Sequence, residues 1–362
     1  MDLRATFEQW LRELTNLPTA SGYEDAVVDW VESCVSERPD LELDIDSGGN
    51  VFVTQRRPKT QAPVLAVAHM DHPAFVITSI EGDVIGYEFR GGVGPAYFAD
   101  AIVDFGKSSA RVVDHDPVSG TGSAVLLSAA VLEPGDLGMW HFEEREVGDG
   151  RFAAPACDDL AGVAACLAAL ERARSMPDLG HYGVLLTRAE EVGLVGALHA
   201  AITGSVPGDA RLLSVETSRE LPDARVGDGP IVRVGDALTV FDQDMTNLIS
   251  RAARESGISH QRKLMSGGAC EASAFGGLGY RASGLCVALG NWHNRGNLTA
   301  VEAGNGDATP MTEEIDLEDF HGLIELILVA VGSLDGSDPT ETKMRDRYQE
   351  GRRYLGRGSV GA

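Results

Sequence analysis

Val64-Leu65-Ala66-Val67-Ala68-His69-Met70-Asp71 is the stretch on which the fold turns. Five uninterrupted apolar residues read as a strand buried on both faces. An imidazole then stands at the strand's carboxyl end, where α/β sheets place their sites, with a carboxylate two residues on. Alternation along an extended chain puts His69 and Asp71 on one side. In that position Asp71 can accept the second ring N–H of a metal-bound histidine, fixing its tautomer. A hydrogen-bonded structural pair is the other reading of the same two residues.

Working outward, residues 5–17 space Phe7, Trp10, Leu11 and Leu14 as one helix face, and Glu24-Asp25 opens a second helix carrying Val27, Trp30, Val31 and Cys34. Short β-like runs follow at Leu41–Ile45 and Val51–Thr54, separated by the turn Ser47-Gly48-Gly49-Asn50. Between about residues 73 and 152 the chain breaks into β-rich pieces, Phe75–Ile80, Val84–Phe89, Ala101–Phe105, Ala110–Val113 and Ala124–Leu127, the pattern of a small barrel or sandwich. From Asp158 onward helices (159–174, after Gly193, near 243–256 and 316–332) alternate with strands (Gly183–Thr187, Arg211–Val215, Gly284–Leu289). That alternation predicts an α/β sheet covered by helices. The β-rich stretch is then an insertion, and Gly336–Ala362 reads as a polar tail, loosely ordered at its end.

Three more strand ends carry acids or a histidine. Asp158-Asp159 opens a helix whose Leu160, Val163, Leu167 and Leu170 mark a buried face; carboxylates also favour helix amino termini as plain caps. Gly183–Thr187 ends in Arg188-Ala189-Glu190-Glu191-Val192-Gly193. Adjacent carboxylates can point differently, so one can bind metal while the other takes a proton from water; an acidic solvated turn is the simpler alternative. Glu216 ends the strand Leu212–Val215, and His293 follows the strand Gly284–Leu289. Two zinc ions sharing a carboxylate need a bridging ligand and about two further protein ligands each, and His69, Asp158, Glu191, Glu216 and His293 supply five. The remaining histidines read as surface or structural; His72 is close enough to line the site, with solvent exposure as its default.

Composition narrows the function classes. The 362 residues carry a formal charge of −25, which opposes binding to a phosphate backbone and excludes nucleic acid as the expected partner. No run approaches the roughly 18 apolar residues that cross a bilayer, and Met1-Asp2-Leu3-Arg4 lacks a signal pattern, so no membrane association and a cytoplasmic protein are expected. Five cysteines without a CxxC pair fit reduced thiols. Only four of the 30 basic residues are lysines, a bias shared by salt-adapted proteins and by GC-rich genomes.

The order of Ser21-Gly22-Tyr23-Glu24, Gly49-Asn50, Ala68-His69-Met70-Asp71, Cys157-Asp158-Asp159, Glu190-Glu191-Val192-Gly193 and Gly196-Ala197 resembles the tetrahedral aminopeptidase family, co-catalytic di-zinc exopeptidases that include glutamyl aminopeptidase-like members. The resemblance spans nearly the whole chain. It implies a mixed central sheet flanked by helices, built from residues 1–72 and 153–362, with residues 73–152 an inserted β-barrel domain used for assembly and access. It implies two divalent ions, zinc by default with cobalt or manganese as alternatives. His69 and Glu216 would hold one, Glu191 and His293 the other, and Asp158 would bridge them. Glu190 would be the general base, Asp71 would orient the site, and the Asp158–Asp159 peptide would be cis.

Peptide substrates, release of amino-terminal residues and a homo-oligomer are the corresponding expectations. A carboxypeptidase or amidohydrolase on the same scaffold, or a catalytically silent peptide-binding protein, is the alternative. The sequence departs from the family pattern at Leu160, at Glu216, at Cys270-Glu271 and around Asn291-Trp292-His293-Asn294. In the third of these, Glu271 stands open between meeting a substrate ammonium and capping a helix.

Overall fold

The computed structural model describes residues 3–58, 61–143, 148, 150–336 and 340–355. Helices α1 (Leu3–Leu14) and α2 (Asp25–Ser36) lead into strands β1 (Leu41–Ile45), β2 (Val51–Gln55) and β3 (Val64–His69). The chain then forms β4 (Ala74–Glu81), β5 (Val84–Arg90), β6 (Ile102–Asp104), β7 (Ser109–His115), β8 (Thr121–Leu126) and β9 (Leu137–Trp140). After β10 (Arg151–Ala154) come α3 (Cys157–Ala173), β11 (Tyr182–Thr187), α4 (Val195–Thr203), β12 (Arg211–Arg219), β13 (Ile231–Gly235), α5 (Gln243–Glu255), β14 (Gln261–Leu264), α6 (Glu271–Gly277) and β15 (Arg281–Leu289). The short pair β16 (Arg295–Gly296) and β17 (Thr309–Pro310) flanks α7 (Leu298–Glu302), and β18 (Glu313–Asp316) precedes α8 (Leu317–Ser333) and α9 (Thr340–Gly351).

Eight strands form one mixed sheet in the order β1-β2-β11-β3-β12-β15-β13-β14. Its middle is parallel: β3 pairs with β11 and β12, and β12 pairs with β15. Their carboxyl ends therefore open on the same edge, with His69 beside Thr187 in register. Every residue of β3 is buried, and alternation divides them between two layers. Val64, Ala66 and Ala68 pack with Phe7, Leu11, Leu160, Val163 and Leu323, whereas Leu65 and Val67 pack with Ala197, Leu212 and Phe275. Full burial of each large aliphatic side chain contributes about 1.5–3 kcal/mol, so both helical layers are needed to hold this strand.

The helix after Asp158 differs from the one-faced helix expected. Almost every residue of α3 is buried, because Ala161, Gly162, Ala164, Ala165, Ala168 and Ala169 let it sit tightly between the sheet and α1 and α8. A helix enclosed on all sides has no polar face to show in its sequence.

Strands β4 to β9 close into a barrel in the order β4-β5-β8-β7-β6-β9. Aromatic rings fill it: Phe75 meets Trp140 edge-on at 4.7 Å, and Phe89 meets Phe98 at 4.9 Å. β9, absent from the sequence reading, seals the gap between β4 and β6; a Cβ at its Gly138 would lie 2.5 Å from the Phe105 ring. β10 pairs with β18 instead of with the barrel.

The expected polar tail is helical over Thr340–Gly351, and residues 356–362 lie outside the described residues. Among the described residues no helix is long and apolar enough to cross a membrane.

Candidate active site

The strand ends bring all the candidate residues together. His69 Nε2 lies 3.4 Å from Asp158 Oδ1, 3.8 Å from Glu190 Oε2 and 4.0 Å from Glu216 Oε2. His293 Nε2 lies 3.6 Å from Asp158 Oδ2 and 3.2 Å from Glu191 Oε1. Donor atoms of His69, Asp158 and Glu216 fall within 4.8 Å of one another, and so do those of Asp158, Glu191 and His293, so that Asp158 is common to both groups. A third such group, His69, Glu190 and Glu191, overlaps the first two. The Asp158–Asp159 peptide is cis.

Backbone and side-chain bonds fix this arrangement. His69 Nδ1 lies 3.0 Å from the carbonyl oxygen of Asp71 and 3.6 Å from its Oδ1, so the backbone oxygen is the nearer partner for the ring. The Asp71 carboxylate turns to the Glu190 loop, accepting the amides of Glu190 at 2.9 Å and Glu191 at 3.1 Å and the Ser21 hydroxyl at 2.6 Å. The two preceding amides are captured as well: Ala189 donates to Glu24 Oε1 and Arg188 to Asn50 Oδ1. Buried Glu24 also pairs with the Arg188 guanidinium at 2.6 Å. Four successive amides, 188 to 191, are thus held by side chains from the first 71 residues. The loop needs that support because Ala189 has φ +52°, a left-handed conformation unfavourable for a residue with a Cβ. The motifs Ser21–Glu24 and Gly49-Asn50 carry this job, which a linear sequence could not reveal.

On the far side Glu313 clamps two backbones, accepting the amide of His293 at 2.7 Å and that of Asp158 at 2.8 Å. His72 is buried, contrary to its expected exposure, with Nδ1 2.5 Å from the Asp158 carbonyl oxygen and Nε2 2.9 Å from Asn294 Oδ1. Glu271 serves neither expected purpose. It is buried behind the site, accepting hydroxyls of Thr187 at 2.9 Å and Ser214 at 3.1 Å.

The electrostatics are those of a negative pocket short of positive charge. Burial, and then the charges of Glu191, Glu271 and Asp71, push the Glu190 carboxyl well above its usual range against the pull of His69. Burial likewise raises Glu216, reinforced by Glu271 and Asp159. Burial opposes protonation of His69, yet Glu190, Asp158 and Asp71 outweigh it and hold the imidazole well above its ordinary value. Among the described residues Glu216 Oε1 is buried without a hydrogen-bond partner, and buried Glu191 Oε1 has only the His293 ring nitrogen, 3.2 Å away. Buried carboxylate oxygens in that condition are costly unless a cation meets them, and the imidazole and carboxylate donors are those that bind zinc and related divalent ions.

These residues floor a cavity of about 660 Å³, within the range of small-ligand pockets. Leu194, Leu198, Leu238, Met265 and Leu278 supply its apolar wall. Arg233, missed in the sequence, also lines it; 3% exposed, it donates to Ser218 Oγ at 3.2 Å, and its Nε has no partner. Among the described residues no carboxylate forms an ion pair with it within 4.0 Å.

The M42 glutamyl aminopeptidase family model matches residues 127–304. No curated protein matches the chain. Among solved structures, an aminopeptidase from the archaeon Desulfurococcus kamchatkensis is 21% identical with a TM-score of 0.73, covering 92% of this chain and 96% of that one. The TET1 peptidase of Pyrococcus horikoshii, described as able to assemble into a tetrahedron or a large octahedral shell, is 21% identical with a TM-score of 0.71, covering 90% and 99%. A Thermotoga maritima protein described as an endoglucanase is 22% identical with a TM-score of 0.67, covering 90% and 99%. These likenesses establish a shared fold, and the family match covers Asp158, Glu190, Glu191, Glu216 and His293 while leaving His69 and Asp71 outside it. That stretch, just under half of the chain, is what makes the protein similar to the M42 glutamyl aminopeptidase family.

Proposed function

We propose that this chain is a dinuclear-metal aminopeptidase that removes amino-terminal residues from peptides. The observation that carries the reading is the pair of groups His69–Asp158–Glu216 and Asp158–Glu191–His293, joined through Asp158 beside Glu190 in one cavity. His69 and Glu216 would hold one divalent ion, Glu191 and His293 the other, zinc first and cobalt or manganese as alternatives. Such ions polarise a scissile carbonyl and lower the pKa of a water molecule. Glu190, which lines the cavity beside His69, takes the proton of the attacking water and returns it to the leaving amine. Asp71 keeps Glu190 and Glu191 aimed by holding their amides.

Arg233 supports an acidic amino-terminal residue as the preferred one, consistent with the name of the matched family, because among the described residues no carboxylate forms an ion pair with its buried charge. Paired acids suffice for glycosides, whereas here two imidazoles stand among the acids, which favours peptide chemistry over the glucanase description of the Thermotoga protein.

In this reading residues 1–72 and 153–362 are the catalytic domain, and 73–152 are an inserted domain that shapes access and assembles a cytoplasmic homo-oligomer. Exposed Val84, Val113, Val118 and Leu127 in the barrel segment support assembly there.

The test is hydrolysis of free and N-acetylated aminoacyl p-nitroanilides and short peptides, before and after chelation. Metal-dependent turnover of the free substrates alone is expected. Turnover of blocked substrates, or release from the carboxyl end, would replace the reading with an amidohydrolase or carboxypeptidase. No turnover with zinc, cobalt or manganese would leave a silent peptide-binding scaffold.

A further inference from the structure

Trp292 immediately precedes His293, and its indole N–H donates to Asp158 Oδ2 at 2.8 Å. Oδ2 is the oxygen that faces His293, whereas Oδ1 faces His69 Nε2 at 3.4 Å and receives the Thr217 hydroxyl, also at 3.4 Å. The two oxygens of the shared carboxylate are therefore supported unequally.

The backbone around Trp292 explains why such support is needed. Asn291, His293 and Asn294 all have φ between 53° and 59°, left-handed values in residues that carry a Cβ. The loop keeps that shape because Glu313 ties the His293 amide to the Asp158 amide and Asn291 Nδ2 donates to the Thr312 carbonyl at 2.9 Å. Trp292 adds a direct hydrogen bond from this loop to the Asp158 carboxylate. Its ring also lies tilted against His293, centroids 4.0 Å apart, with the Arg295 guanidinium 4.4 Å from the ring centre. His293 itself is oriented from the barrel side, Nδ1 lying 3.0 Å from the Gly92 carbonyl oxygen.

We propose that Trp292 is a positioning residue for one metal position only, the Asp158–Glu191–His293 group, where its indole sets the angle of Asp158 Oδ2 toward His293. The inference rests on the dinuclear reading above. A hydrogen bond to a ligand from outside the ligand set fixes its direction, and losing such a bond costs about 10–100-fold in metal affinity. Oδ1, held toward His69 and Glu216 without help from the indole, is spared that loss. Trp292→Phe keeps the ring and its contacts with His293 and Arg295 but removes the N–H.

The experiment is calorimetric titration of zinc alone into the metal-free full-length protein and into Trp292→Phe, with thermal melts of both. The unchanged protein is expected to bind two ions per chain in separable steps. Trp292→Phe is expected to weaken one step by about 10–100-fold and leave the other within about twofold. Trp292→Gln, which restores a side-chain N–H, recovers part of the loss and gives a second reading if the Phe variant does not fold. Two unchanged steps in Trp292→Phe, or equal weakening of both, would overturn the proposal and leave the dinuclear site standing. Absence of zinc binding by the unchanged protein would overturn both.

Discussion

The Asp71 carboxylate accepts the backbone amides of both Glu190 and Glu191, at 2.9 and 3.1 Å, so one buried acid positions the proposed base and a proposed ligand together. Asn in its place keeps the shape but presents an N–H to one of these donors. Asp71→Asn is expected to lower kcat by about 10–100-fold with little change in KM, since the substrate cavity is untouched. Steady-state kinetics beside metal analysis check it; unchanged kcat would remove Asp71 from the site's support.

Gly196 lies where α4 meets the same loop. A Cβ there would sit 2.4 Å from the Arg188 carbonyl oxygen and 2.5 Å from Asn50 Oδ1, displacing the side chain that holds the Arg188 amide. Gly196→Ala is expected to cost about 1–3 kcal/mol in stability and to lower kcat. Denaturant melts and kinetics on the same preparation test the two effects together.

Asp236 gives a pH prediction away from the proposed ligands. Burial alone would raise its carboxyl, but the Ser273 hydroxyl and the amides of Thr239, Leu238 and Cys270 outweigh it and hold the group below the ordinary aspartate value. A lowered folded-state pKa contributes stability that is complete above the unfolded value of about 3.9 and is lost as pH falls through the lower folded value. Asp236→Asn should therefore be about 1–3 kcal/mol less stable at neutral pH. The gap should close below about pH 4. A gap independent of pH would contradict the assignment.

Arg233 tests the substrate. Replacement by Met keeps the bulk and removes the charge, so kcat/KM for glutamyl and aspartyl substrates is expected to fall by roughly 10–100-fold, the worth of a charged hydrogen bond. Leucyl substrates should change little. Equal losses on both would show that Arg233 supports the pocket without selecting the residue.

Much of this architecture was legible because its signals are local. Five apolar residues ending in His69 fixed a buried strand and the edge on which chemistry would lie. The acids at Asp158, Glu190 and Glu191 each followed a strand or opened a helix, whereas Glu216, read as the end of a strand closing at Val215, lies inside β12, which runs on to Arg219. What stayed hidden depends on partners distant in sequence: Glu24 reaches Ala189 across 165 positions, and Glu313 joins Asp158 to His293. Arg233 lies on β13, a five-residue strand whose apolar residues flank a charged one that only burial makes significant. The Thr340–Gly351 helix was missed because its sequence is polar apart from Met344 and Tyr348, both exposed, and offers no broad apolar face to find.

In the proposed reaction Glu190 moves the proton while its neighbours hold the metals. Glu190→Gln keeps the size and removes the base, so the most direct measurement is turnover of a free aminoacyl p-nitroanilide by this variant, with zinc content determined on the same sample. Two zinc ions per chain and a kcat lowered by about 10²–10⁴-fold are expected. Full activity in zinc-loaded Glu190→Gln would contradict that role.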